Sequence, residues 1–402
     1  MMKDYEAIVK AAQAGAEKYF DAQMEVLKAF CAIDCATGNE EGNRKVVDIL
    51  EPILEGLGAQ VEEVQVPGLG IHLVAKLAPA GGNDEPEKSP EKKGKIILNA
   101  HLDTVFGEGF TKKHPFHVDG DWAYGLGIAD CKSGVMIAIY AVKIMQEAGL
   151  LPDREIEFIF NCDEETGTAS GSQLYAREAP GTDYAFVFEG AEEEDGKTGF
   201  VTARRGVILG QMDVTGKEAH AGLAYLDGHS AILELAHKII EYYSFNDYEK
   251  GIYYNVAPIS GGRPNGVVAG DAHAEFCVAG IPLNSDFAQV EAKLRSLEDS
   301  VTVPGTSVKV QYHTLFPAME KGSQNSRAFE LLKKPAQLLG MEITELYVPG
   351  ATDGAYFSSL GIPTVDALSA EFRDIHTVEE RVNMPSIRER TAFFATVLGC
   401  ME

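Results

Sequence analysis

The sequence predicts a two-domain α/β protein in which a small domain is inserted into a larger one. With 402 residues, the chain is too long for one ordinary hydrophobic core. Helix-like and strand-like patterns alternate along its first half, which is typical of a layered α/β fold. The pattern changes near residue 203, and the earlier pattern later resumes. We therefore expect residues 1–202 and 314–402 to form the larger domain and residues 203–313 to form the insertion.

The larger domain opens with an amphipathic helix predicted at 16–30 and a strand predicted at 71–77. A segment rich in Pro, Gly, Lys and Glu follows at 79–95 and indicates a surface loop.

Three later apolar runs predict buried strands, and each run leads into a histidine or an acidic residue. These are 95–100 before His101, 155–160 before Glu164 and Glu165, and 184–188 before Glu189. Ligands of open α/β sheets bind beyond the carboxyl ends of the strands. We therefore expect these side chains to meet at one edge of the sheet.

The insertion has its own order of elements. Half-buried strands are predicted at 207–214, 252–258, 272–278 and 307–312, with helices at 227–244 and 286–299. The order strand–helix–strand–strand–helix–strand is typical of a ferredoxin-like α+β sandwich.

Composition excludes several classes of partner. A net charge of −26 disfavours nucleic acid, which requires a basic surface. No apolar stretch reaches the roughly 18 residues of a membrane span. The six cysteines are scattered and the N-terminus has no apolar signal core, so we expect a cytoplasmic protein.

Two histidines and three carboxylates form a candidate metal site: His101, Asp130, Glu165, Glu189 and His376. Such a set suits two zinc ions that share one bridging carboxylate. Asp130 lies in a glycine-rich turn at 124–134, just before a predicted helix. An aspartate there is also a common helix N-cap, so that alternative stays open for the turn alone.

The acidic pair Glu164–Glu165 and Asp103, two residues after His101, have separate predicted roles. Neighbouring side chains at a strand end point in opposite directions. Glu165 could therefore bind metal while Glu164 acts on water, although an ordinary acidic loop is the alternative. Asp103 is placed to hold the second ring nitrogen of His101.

Together, these motifs resemble the di-zinc metallopeptidase family of glutamate carboxypeptidase (glucarpidase), aminoacylase and succinyl-diaminopimelate desuccinylase. The resemblance covers nearly the whole chain and rests on Asn99–Val105, the Asp130 turn, Asp163–Gly167, Glu189, Glu218–Gly222 and Asp374–His376. It implies a zinc-peptidase catalytic domain with a mixed central sheet flanked by helices. It also implies that the inserted domain serves as a dimerisation and lid domain.

The resemblance further implies a role for each candidate. His101 and Glu189 would bind one zinc ion, Glu165 and His376 the other, and Asp130 would bridge them, with Glu164 as the general base. A non-proline cis peptide would follow Asp130. Cobalt or manganese could replace the two zinc ions, because these ligands accept several divalent metals.

Other implied roles concern the substrate and a homodimer. His220 of the insertion would reach the active site of the partner subunit and stabilise the oxyanion there. Asn265 matches a substrate-binding asparagine, and Thr352 and Asp353 match a loop near the site. Arginines that bind the substrate carboxylate in carboxypeptidase-like members are absent at 275–279 and 314–317. Arg263, Arg204 or Arg373 could substitute, although a surface or structural role is the favoured alternative for each.

We therefore expect metal-dependent hydrolysis of an amide or peptide bond in a small peptide or an N-acyl amino acid. A carboxypeptidase is favoured. An N-acyl-amino-acid amidohydrolase or a dipeptidase of the same family is the alternative. A non-catalytic metal-binding protein is a more distant one.

Overall fold

The computed structural model describes residues 3–79, 94–263 and 266–401. Most of the loop predicted at 79–95 lies outside these ranges, as does Asn265. The chain divides into two compact units. The first comprises Met1–Ala203, Lys321–Tyr347 and Thr352–Glu402, and the second comprises Arg204–Glu320 and Val348–Ala351.

The α-helices are α1 (Tyr5–Cys31), α2 (Glu40–Gly56), α3 (Phe110–Lys113), α4 (Ser133–Glu147), α5 (Gly171–Glu178), α6 (Ala231–Tyr243), α7 (Asp286–Asp299), α8 (Ser323–Leu339), α9 (Gly354–Ser359) and α10 (Met384–Cys400). Shorter helical turns occupy Ile128–Lys132, Glu164–Thr166 and Tyr225–Asp227. Within the described ranges, no helix combines the length and the hydropathy that a membrane-spanning segment needs.

The strands are β1 (Gln60–Val66), β2 (Gly70–Leu77), β3 (Lys95–His101), β4 (His117–Asp119), β5 (Trp122–Tyr124), β6 (Glu155–Asn161), β7 (Thr182–Val187), β8 (Glu192–Glu194), β9 (Lys197–Arg204), β10 (Gly206–Thr215), β11 (Ala219–His220), β12 (Tyr253–Gly261), β13 (Val267–Val268), β14 (Asp271–Ile281), β15 (Ser307–Phe316), β16 (Ile343–Val348), β17 (Thr364–Val365), β18 (Phe372–Arg373) and β19 (Arg381–Asn383).

The first unit is built on a six-stranded sheet with the order β1-β2-β6-β3-β7-β17. Strands β6, β3, β7 and β17 pair in parallel, whereas β2 is antiparallel to both β1 and β6. The predicted mixed α/β sheet is therefore confirmed.

Helices cover both faces of this sheet because the strand side chains alternate between the two faces. Ile96 and Leu98 of β3 belong to the core cluster that includes residues of α1, α4 and α10. Ile97 points the other way and packs in a second cluster with Leu174 of α5 and Phe357 of α9. The buried runs that predicted these strands thus serve two cores at once.

The parallel pairing brings three strand ends to the same edge of the sheet. His101 at the end of β3 is in register with Asn161 at the end of β6. On the other side of β3, Asn99 is in register with Val187 at the end of β7. The loops that follow these three strands therefore start side by side.

The second unit has an antiparallel sheet with the order β12-β14-β10-β15. Side chains from this sheet share one core with Leu235 of α6 and Leu294 of α7. The chain order β10-α6-β12-β14-α7-β15 is that of a ferredoxin-like unit. Strand β15 continues to Phe316, beyond residue 313 where the sequence placed the end of the insertion. The reason is that its ladder with β10 extends to Phe316.

Candidate metal centre

All five candidate ligands belong to the first unit and lie where regular elements begin or end. His101 is the last residue of β3, and Glu189 comes two residues after β7. Asp130 lies in the kinked turn Ile128–Lys132 before α4, and Glu165 lies in the short turn after β6. His376 lies between β18 and β19 with a left-handed backbone, φ 61°, which is costly for a residue other than glycine.

The carboxylate of Asp130 stands between two imidazoles. Its Oδ1 is 2.8 Å from Nε2 of His101, and its Oδ2 is 2.9 Å from Nε2 of His376. Each imidazole also faces a second carboxylate. The distance from His101 Nε2 to Glu189 Oε1 is 3.7 Å, and that from His376 Nε2 to Glu165 Oε2 is 3.4 Å. The five side chains thus form two half-sites that share Asp130.

Contacts within the cluster shift the pKa values of its histidines and of Asp130. Hydrogen bonds with Asp130 and Glu165 raise the pKa of His376 to about 10. Burial alone would lower the pKa of His101. The charges of Cys131 and Glu189 and the hydrogen bonds with Asp103 and Asp130 outweigh the effect of burial. They raise the pKa of His101 well above its usual range. Burial also acts to raise the pKa of Asp130, yet its bonds with the two histidines lower it below the usual range. A metal ion bound to both imidazoles would compete with the protons that these shifts favour.

The donor set fits divalent metal ions. Ligand atoms of His101, Asp130 and Glu165 lie within 4.8 Å of one another, and so do those of His101, Cys131 and Glu189. Burial raises the pKa of the Cys131 thiol well above its usual range, so this thiol is a weak competitor of the carboxylates for metal. Imidazole and carboxylate together suit zinc and related ions.

The turn that carries Asp130 is held by an acidic residue that the sequence analysis did not identify. Glu380 accepts hydrogen bonds from the backbone N–H groups of Gly127, Ala129 and Asp130, at 3.0, 2.7 and 3.2 Å. Burial raises the pKa of Glu380 to about 7, although these three bonds act in the opposite direction. The peptide between Asp130 and Cys131 is cis, as the resemblance implied. The sequence does contain one signal for Glu380, because Glu379 and Glu380 form a second acidic pair shortly after His376.

Asp103 orients both His101 and the acidic pair. Its backbone carbonyl accepts a hydrogen bond from His101 Nδ1 at 2.9 Å, while its carboxylate Oδ1 lies 3.4 Å from that nitrogen. The carboxylate instead accepts from the backbone N–H groups of Glu164 and Glu165, both at 3.2 Å. The Thr37 hydroxyl donates to the same carboxylate at 2.6 Å. One buried side chain therefore sets the position of the turn that carries both glutamates.

Glu164 and Glu165 take different directions. Glu165 faces His376, whereas Glu164 is only 8% exposed and lies among other acidic groups. Burial raises the pKa of Glu164 well above its usual range, and the charges of Asp353 and Glu189 add to this effect. A bound cation would reverse this repulsion, because an opposite charge favours the ionised carboxylate.

Thr352 and Asp353 are hydrogen-bonded to other side chains of the first unit. Thr352 donates a hydrogen bond to Asp366 at 2.5 Å, and the fully buried Asp353 accepts one from Thr168 at 2.6 Å. Both side chains are thus used inside the fold, and their contact with substrate stays a prediction.

Among the described residues, three candidates belong to the second unit: His220, Arg204 and Arg263. His220 is exposed, and its Nδ1 accepts hydrogen bonds from the N–H groups of Gly222 and Leu223, both at 3.1 Å. Arg263 is exposed and pairs with Glu218 at 2.9 Å. Asn265 lies outside the described residues, so its role stays a prediction.

The chain is similar to known proteins in sequence and in fold. A sequence model described as Peptidase family M20/M25/M40 matches residues 97–399. Carboxypeptidase G2 of Pseudomonas sp. (strain RS-16) is 29% identical over 382 residues, which cover 90% of this chain and 87% of that protein. The acetylornithine deacetylase of Vibrio parahaemolyticus serotype O3:K6 (strain RIMD 2210633) is 25% identical over 366 residues, covering 82% and 91%. A solved tripeptidase from Staphylococcus aureus subsp. aureus Mu50 shares the fold, with a TM-score of 0.78 and 22% identity over 94% of this chain and 98% of that one.

Proposed function

Because the chain belongs to the peptidase family M20/M25/M40 and is therefore a hydrolase, we propose that it cleaves an amide or peptide bond with the help of two metal ions. The substrate would be a small peptide or an N-acyl amino acid. The observation that carries this proposal is the Asp130 carboxylate, which has one oxygen beside each of two imidazoles.

The two half-sites support an assignment of the ligands. His101 and Glu189 would hold one ion, Glu165 and His376 the other, and Asp130 would contact both. Zinc is the expected metal, and cobalt or manganese would suit the same donors. When bound, the two ions would lower the pKa of a water molecule and polarise the substrate carbonyl.

The protein would supply the proton transfers. Glu164 lies on the same turn as Glu165, and its carboxylate lies near His101, Glu189 and Asp130. It would take a proton from water and return it to the leaving amine. Asp103 would keep both glutamates in place through the backbone N–H groups that it accepts. Thr37 would fix the carboxylate of Asp103 in turn.

Carboxypeptidase activity is the favoured form of this proposal. It is supported by the match to carboxypeptidase G2 along 90% of this chain. The alternative, an N-acyl-amino-acid amidohydrolase or a dipeptidase, is supported by the similar acetylornithine deacetylase and by the missing arginines at 275–279 and 314–317. Arg263 remains a candidate for the substrate carboxylate, although it would have to leave Glu218.

A substrate panel tests the proposed function. We expect zinc-loaded protein to hydrolyse N-acyl amino acids or dipeptides with a free carboxylate, and to lose this activity when the metals are removed by chelation. Each substrate is paired with its C-terminal amide, because a carboxypeptidase should reject the amide. Products are identified by mass spectrometry. Full zinc occupancy without hydrolysis of any member would favour a non-catalytic metal-binding protein.

A homodimer through the second unit is part of the same proposal. Strand β12 lies at the edge of its sheet, and such an edge offers unpaired backbone groups. Apolar side chains are exposed on both β12 and the neighbouring helix α6. Ile240 of α6 is 70% exposed, and Ile259 of β12 is 63% exposed. A second copy, related by a two-fold axis, would cover both the strand edge and the apolar surface.

A cytoplasmic location is also proposed, and it is supported by the six cysteines, all of which are free thiols.

Mixing two inactive variants tests the dimer and the role of His220 together. Glu164→Gln and His220→Ala should each be nearly inactive alone. If His220 acts in the partner subunit, mixed dimers contain one complete site, so an equal mixture should recover about a quarter of wild-type activity. Sedimentation of Ile240→Glu should show monomers, whereas the control Val118→Glu in the first unit should not change the mass. If mixed dimers are present and the mixture stays inactive, His220 does not act in the partner subunit.

A further inference from the structure

A polar cavity of about 230 Å³ lies in the first unit, and none of the five candidate ligands lines it. Its lining includes Lys197, Glu371, Asn383, Ser386, Glu389 and Arg390. We call it the Arg390 cavity. Its volume is several times the roughly 30 Å³ that one water molecule occupies in the liquid. A single bound water would therefore not fill it.

Arg390 is the feature that requires an explanation. This residue of α10 is only 4% exposed, and its guanidinium lies over the ring of Phe200 at 5.1 Å from the centroid. Phe200 in turn stacks on Phe393, with centroids 5.1 Å apart. Packing thus covers the flat face of the guanidinium. Its N–H groups lie in the plane and point outward from the edge.

Two nitrogens of the Arg390 guanidinium have no acceptor in the described part of the chain. Among the residues that the structure describes, neither Nε nor Nη1 of Arg390 has a hydrogen-bond partner, although both atoms are buried. Burial lowers the pKa of Arg390 to about 10, against the opposing charges of Glu389 and Glu371, so the side chain remains a cation at neutral pH. A buried cation with unmet donors is costly unless an anion binds it.

The lining determines which anion would fit. A planar carboxylate matches the guanidinium edge, because it can accept two parallel hydrogen bonds. The cavity is also lined by acidic residues, including Glu371 and Glu389, which would repel a ligand with several negative charges. These residues instead favour a ligand that carries a positive group beside its carboxylate.

We propose that the Arg390 cavity binds a free α-amino acid, with the carboxylate on Arg390 and the ammonium group toward Glu371 and Glu389. This inference does not depend on the proposed function of the metal centre. The cavity wall nevertheless follows the metal centre in the chain, because its first lining residue, Ala191, comes two residues after Glu189. The Ala191 N–H donates a hydrogen bond to the Ala370 carbonyl at 3.0 Å.

Calorimetric titration of the full chain with L-alanine tests the proposal. We expect saturable binding of L-alanine and much weaker binding of L-alaninamide, ethylamine and acetate, each of which lacks one of the two charged groups. Arg390→Met keeps the packing on Phe200 and should weaken L-alanine binding by about 10- to 100-fold. The control Arg388→Met lies on the same helix, pairs with Glu17 at the surface and should bind as the wild type does.

Two further variants keep the test decisive. Should Arg390→Met fail to fold, Glu371→Gln should weaken L-alanine binding while leaving acetate binding unchanged. Asp130→Asn should retain L-alanine binding, because Asp130 does not line the cavity; loss of binding in that variant would place the ligand at the metal centre and overturn the proposal. Equal affinity of folded Arg390→Met and wild type, or acetate binding as tight as that of L-alanine, would also overturn it.

Discussion

Glu164→Gln is expected to lower kcat by about 10²- to 10⁴-fold while leaving about two metal ions bound per chain. The carboxylate is placed as the proton acceptor, since its neighbour Glu165 is the one that faces His376 at 3.4 Å. Glutamine preserves the volume of a side chain that is only 8% exposed, so the fold should be retained. Turnover is measured on the best substrate of the panel, and metal content by mass spectrometry of dialysed protein.

The adjacent variant Glu165→Gln is the matched control, because it changes the same functional group one residue away. It should lose metal from the half-site that contains His376, and lose activity as a consequence. Supplying excess zinc should partly restore Glu165→Gln but not Glu164→Gln. If Glu164→Gln is instead depleted of metal, the two glutamates have exchanged roles and the assignment of the general base is wrong.

Asp130→Asn is expected to have the largest effect on metal binding. Asp130 is the one side chain shared by both half-sites, with oxygens 2.8 Å from His101 Nε2 and 2.9 Å from His376 Nε2. An asparagine has one oxygen, and its amide nitrogen would face a cation. Loss of a residue that merely orients a ligand costs about 10- to 100-fold in metal affinity, so loss of the shared ligand should cost at least about 100-fold.

Competition with a fluorescent zinc chelator measures this loss for both ions. The control Asp119→Asn removes an exposed carboxylate from β4 and should bind zinc as the wild type does. The variant should also be inactive, because it lacks the metals that activate water. Retention of two tightly bound ions by Asp130→Asn would show that Asp130 is not the shared ligand.

Much of the fold was predictable because it follows from local periodicity. The apolar runs before His101 and Glu189 are buried strands of the central sheet, and their parallel pairing aligns the strand ends. Alternating patterns in the second unit likewise predicted the strands and helices of a ferredoxin-like sandwich. Hydrophobic periodicity shows which face of an element is buried, and it can be recognised from a short stretch of consecutive residues.

Contacts between distant segments were much harder to predict. Glu380 holds the Asp130 turn from 250 residues away, and Thr37 reaches Asp103 across 66 residues. Neither contact has a local pattern, since each depends on where two loops meet. The sequence also could not tell that Asp353 is fully buried and bonded to Thr168, because an acidic residue in a loop is usually exposed.

The amino-acid sequence alone therefore determined the sheet, the helices and the kinds of side chain at the strand ends, since side-chain period and hydrophobicity act over short stretches of chain. Only the tertiary structure decided which oxygen of Asp130 faces which imidazole, which glutamate faces His376, and that Arg390 is buried beside a cavity. Those facts depend on distances between segments far apart in the chain, which are set when the elements pack together.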